Sequence, residues 1–567
     1  MPETGFKIFK DPVYGYLEIP CHLVDGIIDT PEFQRLRCVR QTSYDPLFPS
    51  ATHNRFVHSL GVYHLGSFVS RLLEHQCRGA AFRTVGSQKA IVRAFELLQL
   101  ACLLHDFGHA PFSHTGEDLY RDEDGNVFHL HERIDGLIGG SAFLDYSKLN
   151  SKLAAPHELM SVIVSLTKYG TAKWEDGEPY FGGAAEKEFF ARAITGYKYV
   201  AQRKRVLGVR VSFLNCLIAL LNSSLVDVDR LDYLMRDAFN TGFNTMNIDY
   251  RRLLTGLRIE CAVGECQLTY TKSSICVLEN VIYAHDAERK WVQNHPAIKY
   301  EMRLLDRAMR HVRQKYPKVF SEEAFSEKGI RLGRKGVVAR FLSDTDLLFL
   351  MKNFACPESR KFFDRRLRHR PLWKSETEFH ALFGRTTWEG GNWESYARFT
   401  RALFEYVEKY ADSAINVKAL KTVGDEVRRD KAQQKKSTGA RHIAVSQHLL
   451  KVQLFKDFFL RLQKFATERS LEFHFDLIST DSFRSGFYKS ELSKVLVKIP
   501  ARDAPVEFGR ITNLFKEGVT DLSPEMHYIF CEKSDAGMSA LAKDFVGILR
   551  AFVNEKVVDI TAALALE

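Results

Sequence analysis

No run of apolar residues approaches the ~20 consecutive positions needed to cross a membrane; the longest candidates are broken by Asn215, Asn222 and Ser223. No membrane partner is therefore expected. Met1 to Lys10 lacks the basic, then apolar, then small-residue order of a secretory leader, which predicts a cytoplasmic location. Cysteine is sparse: ten residues are scattered from Cys21 to Cys531, with only Cys261 and Cys266 close together. That spacing offers neither a disulfide framework nor a paired zinc motif and predicts reduced, mostly buried thiols. A strong charge of either sign is also missing, since 80 Lys+Arg against 70 Asp+Glu leave +10 over 567 residues. Nucleic acid is compatible with that balance but not required by it.

What is present is an ordinary globular composition, 45% hydrophobic and 26% charged, long enough for a large core and more than one domain. Helical periodicity dominates from Phe33 to about Phe320. Pro31 to Arg37 starts a helix, Phe56 to Leu73 continues at a 3.6-residue period, and Ile91 to His105 is strongly amphipathic. Trp174 to Pro179 reads as an exposed loop or short hairpin. A second helical region follows, clearest at Asp344 to Phe354 and Tyr396 to Tyr410. The polar run from Glu426 to Gly439 reads as a surface linker, with a phosphate-binding patch as the functional alternative. Strand character at Leu471 to Ile478, Val495 to Ile499 and His527 to Cys531 precedes a helix near Ala540 to Val553. The expected organisation is mainly α: a core over 1–320, a helical extension over 321–424, a basic loop or linker over 425–440 and a small α+β region over 441–567.

Ten of the twenty histidines fall between His53 and His157. They accompany acids at apparent helix boundaries: His53 and His58; His105-Asp106 followed by His109 and His114; His157-Glu158; and Asp227, Asp229 and Asp232 further on. Imidazoles and carboxylates drawn from different helices can enclose one divalent metal, both donor types suiting a first-row ion. Adjacent His105 and Asp106 cannot share a face of a regular helix, but can converge where one ends, and Gly108 with Pro111 supplies that end.

This constellation resembles the HD-domain phosphohydrolases, whose signature is a His, a distant His-Asp pair and a later Asp. Asp11 to Gly15, Ile28 to Arg37, His53 to His58, His105 to His109, Pro111 to His114 and Asp227 to Tyr233, in that order, are similar to the dNTP triphosphohydrolase branch of the family. The resemblance covers roughly the first 320 residues and implies an HD-type helical core there. It implies metal ligands His58, His105, Asp106 and Asp229, with one divalent ion per site (Mg, Mn, Fe, Co, Ni or Zn). It implies catalytic roles for His109, His114, Glu117 and His157, Glu117 and His157 acting as a coupled pair. Vertebrate members carry Asp where Glu117 stands and Lys where Arg230 stands. Arg55 and Arg230 would face the triphosphate, Tyr233 and Asp237 would line the sugar pocket, and Gln41 would read the 3′-hydroxyl.

The implied reaction is hydrolysis of a dNTP to deoxynucleoside and inorganic triphosphate by a homo-oligomer (dimer, tetramer or hexamer). Asp29 and Arg37 match residues that bind an activating GTP or dGTP, guanine offering complementary edges. They read equally as a helix cap and a surface charge. Two rival functions stand beside the leading one: an HD phosphatase or phosphodiesterase acting on another nucleotide, and a nucleotide-sensing or nucleic-acid-binding module with a vestigial site.

Overall fold

The computed structural model describes residues 5–122, 125–140, 143, 153–200, 204–223, 226–243, 247–262, 265–333, 336–353, 356–383, 392–410, 412–480, 494–500, 504–512, 526–533 and 537–564. It is mainly helical, with small sheets. The chain forms two compact units. One comprises Met1–Val292, Glu301–Arg360 and Ser485–Glu517; the other comprises Gln293–Tyr300, Lys361–Arg484 and Gly518–Glu567. This differs from the consecutive division expected from composition. Strand Leu496–Lys498 pairs in parallel with Glu265–Thr271, more than 200 positions earlier, so part of the C-terminal third belongs to the first unit.

In the first unit the long helices Arg55–Gln76 and Gln88–Leu104 pack together, joined by Pro156–Tyr169, Ala184–Thr195, Val211–Leu221 and Val228–Thr241. Their starts are set by local chemistry. Asn54 and Ser87 accept hydrogen bonds from Val57 N and Ala90 N, and Pro156 fixes a first-turn φ at no cost in hydrogen bonds. Phe33, Phe56 and Phe107 are buried in one aromatic cluster, each ring contributing about 1.5–3 kcal/mol by burial. A hairpin, Phe6–Asp11 with Gly15–Pro20, precedes these helices. Lys173 bridges Pro179, so the expected loop there is a short hairpin, and Trp174 stacks on Tyr180.

The second unit contains an antiparallel sheet in the order Ala414–Asn416, His474–Thr480, Met526–Cys531, Arg370–Pro371. It also holds helices Trp393–Tyr410, Val417–Gln434, Gly439–Glu468 and Met538–Glu555. Asp344–Asn353 is helical as expected, while Phe354 lies outside the described residues.

Two expectations are corrected. Residues 425–434 are not a loop or linker but the second half of the Val417–Gln434 helix. Val423, Val427 and Asp430 lie on its buried stripe, and the surrounding Lys and Arg conceal that period in the sequence. Cys261 and Cys266 form a disulfide. They lie directly opposite each other in the Leu257–Ala262 and Glu265–Thr271 hairpin, where the register brings their Cα atoms to 4.1 Å. Of the remaining thiols, Cys77, Cys102, Cys216 and Cys531 are buried, while Cys38 and Cys276 are exposed.

Candidate active site

Four helix ends converge in the first unit. His58 lies in the first turn after the Asn54 cap. His105 ends Gln88–Leu104, its Nδ1 2.9 Å from the Cys102 carbonyl oxygen. Asp227 caps Val228–Thr241 by accepting from Arg230 N at 2.7 Å, which places Asp229 in the first turn. His157 is the second residue of Pro156–Tyr169. Between His105 and His114 the chain turns against that last helix. A Cβ on Gly108 would lie 2.4 Å from the Met160 carbonyl, so only glycine permits the approach. Phe112 and Ser113 adopt left-handed backbone, with φ of 58° and 52°, a strained state for residues other than glycine. Asp344 Oδ1 holds this turn by accepting from Phe112 N at 2.7 Å, and Arg55 Nε donates to Ser113 Oγ at 2.9 Å.

Two imidazoles meet at the centre. His58 Nδ1 is 2.7 Å from the Asp232 carboxylate, and His105 Nδ1 faces a backbone carbonyl. Each acceptor calls for a proton on Nδ1, which leaves the two Nε2 lone pairs facing each other at 3.3 Å. Asp229 Oδ1 lies 3.0 Å from His58 Nε2 and 3.6 Å from His105 Nε2, and Asp106 oxygens lie 3.6 Å from both. Donors about 2.1 Å from one tetrahedral ion sit about 3.4 Å apart, so His58, His105 and Asp229 are spaced to hold a single divalent cation, with Asp106 beside them. Where protons are the only cations available, burial opposes a charged His58. Hydrogen bonds to Asp229 and Asp232 outweigh it and raise the pKa to about 9. The Asp229 side chain is 39% exposed, which opens the donor set to solvent.

A second cluster adjoins the first. Glu117 accepts a hydrogen bond from His114 Nδ1, and its Oε1 is 2.9 Å from His157 Nδ1 and 3.8 Å from His109 Nε2. His109 is fully buried, stacks on His157 at 4.5 Å and has neither ring nitrogen hydrogen-bonded among the described residues. Burial and the neighbouring Arg55 hold it neutral, well below the usual imidazole range. For His157 burial lowers the pKa, but the Glu117 charge reverses the balance and raises it to about 9. Glu158, pushed up to about 7 by burial, accepts from Ala155 N and Asn222 Nδ2. His105, His157, Glu158, Asn222 and Asp229 line one narrow cavity. The structure thus brings together His58, His105, Asp106 and Asp229, and beside them His109, His114, Glu117 and His157.

The network behind His58 had no assigned role in the sequence. Asp232 binds His58 and accepts from the Tyr14 hydroxyl at 2.7 Å and from Arg236, which in turn bonds Asp11 at 3.0 Å. The spacing from Asp229 to Asp232 was the available signal, since i and i+3 share a helix face. Gly61 makes room for this carboxylate: a Cβ there would fall 1.9 Å from Asp232 Oδ1 and 2.5 Å from the Arg236 guanidinium. Gly61→Ala is expected to displace the buried pair at a cost of about 3 kcal/mol or more. Chemical denaturation would read this directly, and a stability equal to wild type would show that the network shifts freely.

The remaining expected residues are placed as follows. Arg55 is buried and donates to Asp106 at 2.8 Å and to the Gln41 carbonyl at 3.2 Å, so its guanidinium is anchored beside the centre. Gln41 is buried, and its Oε1 has no hydrogen-bond partner among the described residues. Arg230 hydrogen-bonds Tyr233 one turn along the same helix. Asp237 is a buried partner of His53 Nε2 at 2.6 Å. Asp29 and Arg37 are both exposed. Asp29 pairs with Lys7 at 3.1 Å, and Arg37 lies over the Phe56 ring and donates to Gln34. Thr30 stands at the N-cap of the Pro31–Gln34 helix with Pro31 at its start, though its side chain makes no capping hydrogen bond.

Residues 55–161 match the family model of the HD domain. It is 30% identical to the deoxynucleoside triphosphate triphosphohydrolase SAMHD1 of Xenopus laevis over 298 residues, which are 49% of this chain and 39% of that protein. It is 29% identical over 311 residues to the uncharacterized protein YwfO of Bacillus subtilis strain 168, covering 54% of this chain and 56% of that one. The chain therefore spans less than two thirds of either relative. A hypothetical protein from Aquifex aeolicus, at 18% identity, shares the fold with a TM-score of 0.52 over 96% of this chain and 100% of that one.

Proposed function

We propose that this HD-domain chain is a metal-dependent dNTP triphosphohydrolase, converting a dNTP and water to a deoxynucleoside and inorganic triphosphate. The observation that carries this reading is the adjacency of two sets: cation-type donors at His58, His105 and Asp229 with Asp106 beside them, and a buried carboxylate, Glu117, surrounded by three imidazoles. A bound divalent ion supplies Lewis acidity and lowers the pKa of water. The protein's own groups do the rest. Water attacks the α-phosphorus, the bond to the 5′-oxygen breaks, and His157, charged through Glu117, is the proton source for that leaving oxygen. His109, neutral and unpartnered, is the group left to bond phosphate oxygens. Arg55 and Arg230 contribute positive charge, and the unpartnered Gln41 Oε1 is an acceptor suited to a sugar hydroxyl. Tyr233 and Asp237 complete the sugar side, Asp237 acting through His53.

The test is product analysis over all dNTPs and NTPs with Mg, Mn, Co and Ni, singly and mixed. Triphosphate as the first product supports the reading. Pyrophosphate or monophosphate would assign the site to the rival HD phosphatase or phosphodiesterase class. Regulation by GTP or dGTP at Asp29 and Arg37 belongs to the same proposal, together with a homo-oligomer that the activator favours. It is supported by the exposure of both side chains and by the absence of any capping role for Asp29. GTP should raise dATP turnover and molecular mass by light scattering in wild type but not in Asp29→Ala. Activation preserved in the variant would put the regulatory site elsewhere.

A further inference from the structure

Outside the HD centre, the second unit holds another convergence of metal-type donors. Glu426 and Asp430 lie one turn apart on Val417–Gln434, facing His448 on the neighbouring Gly439–Glu468 helix. His448 Nε2 is 3.2 Å from Glu426 Oε1 and 3.6 Å from Asp430 Oδ2. Asp430 is only 8% exposed, and its Oδ2 has no hydrogen-bond partner among the described residues. A buried carboxylate oxygen without a hydrogen bond is costly, and a single proton on His448 Nε2 can serve one of the two carboxylates but not both. A cation among the three serves all of them.

The spacings agree with that solution. Donors about 2.1 Å from a tetrahedral ion are about 3.4 Å apart, between the two distances observed here and comparable to the 3.0–3.6 Å found at the HD centre. The Tyr406 hydroxyl donates to Glu426 Oε2 at 2.5 Å, which orients the carboxylate so that Oε1 faces His448. The His448 side chain is 44% exposed, leaving an open side for water as a further ligand. A third histidine-acid cluster, His369, His474 and Asp476, is different. There each histidine already bonds Asp476, and Lys361 Nζ lies 3.0 Å from His369 Nε2, fixing the ring as a hydrogen-bonding group.

We propose that Glu426, Asp430 and His448 form a second metal site that takes a first-row divalent cation of zinc type and staples the two helices together. The test uses zinc itself and the full chain. After chelation and dialysis, zinc is titrated into wild type, His105→Ala, His448→Ala, Asp430→Asn and the double variant His105→Ala/His448→Ala, with bound metal measured by elemental analysis. His105→Ala separates this site from the HD centre. It should retain one zinc equivalent that the double variant loses, and zinc should raise its melting temperature but not that of the double variant. Asp430→Asn, which keeps the side chain's volume, should bind this equivalent about tenfold or more weakly. Equal zinc stoichiometry, with affinities within threefold, in His105→Ala and the double variant would overturn the proposal and leave the cluster as a proton-bridged ion pair. The same result for Asp430→Asn against wild type would do so even where a His448 variant does not fold.

Discussion

His105→Ala is expected to abolish hydrolysis and metal binding at the HD centre together while leaving the fold in place. The substitution deletes one of two imidazole nitrogens that face each other at 3.3 Å, and leaves Asp229 and Asp106 with His58 alone. Groups that only orient a metal ligand cost about 10–100-fold when removed, so loss of the ligand itself should exceed about 100-fold in kcat. The fold should survive because no large apolar volume is removed, and the surrounding helices are held by Phe33, Phe56 and Phe107. Asp106→Ala should behave alike in turnover. It should cost more stability, because Arg55 then loses the carboxylate it holds at 2.8 Å. The decisive measurements are metal content, kcat and a denaturation curve on the same preparation. An unchanged number of bound metal ions together with a kcat within about threefold of wild type would remove His105 from the centre.

The central donors were legible in the sequence because each stands at a helix end marked by its own chemistry. Asn54 and Asp227 are caps, and Gly108 allows a turn that any Cβ would block. The network behind them was not legible, since Asp232 meets His58 across 174 positions and Tyr14 across 218. Local patterns carry no information about such partners. The same limit applies to the parallel pairing of Val497 with Tyr270. Around 425–434 the failure was different. The helix buries a narrow stripe of Ala419, Val423, Gly424, Val427 and Asp430, and ten residues of mostly polar composition imitate a linker. The disulfide depended on register: Cys261 and Cys266 oppose each other only because the hairpin pairs them.

Replacing Glu117 by Gln should change both the rate and its pH dependence, because the carboxylate acts through charge rather than size. In wild type, burial disfavours a charged His157, yet Glu117 at 2.9 Å raises its pKa to about 9. At neutral pH the pair is therefore carboxylate and imidazolium, and the proposed proton donor is loaded. Glutamine removes the charge, leaves burial dominant and drops His157 below its ordinary value, so the donor is empty at pH 7. A loss of about 10²–10³-fold in kcat is expected. The alkaline limb of the rate profile should move from near pH 9 in wild type to the acid side of neutrality. Stability follows with a definite sign. The raised His157 pKa contributes fully below about 6.5 and fades as pH rises through about 9, whereas the depressed Glu117 pKa contributes above about 4.5 and is lost in acid. Glu117→Gln should thus destabilise most between about pH 4.5 and 6.5, by about 3 kcal/mol, and little above pH 10. Glu117→Asp, which keeps the charge one methylene further back, should retain the alkaline limb. If urea denaturation at pH 6 and pH 10 gives the same difference for the Gln variant, or if its rate profile keeps the wild-type limb, Glu117 does not set the charge of His157.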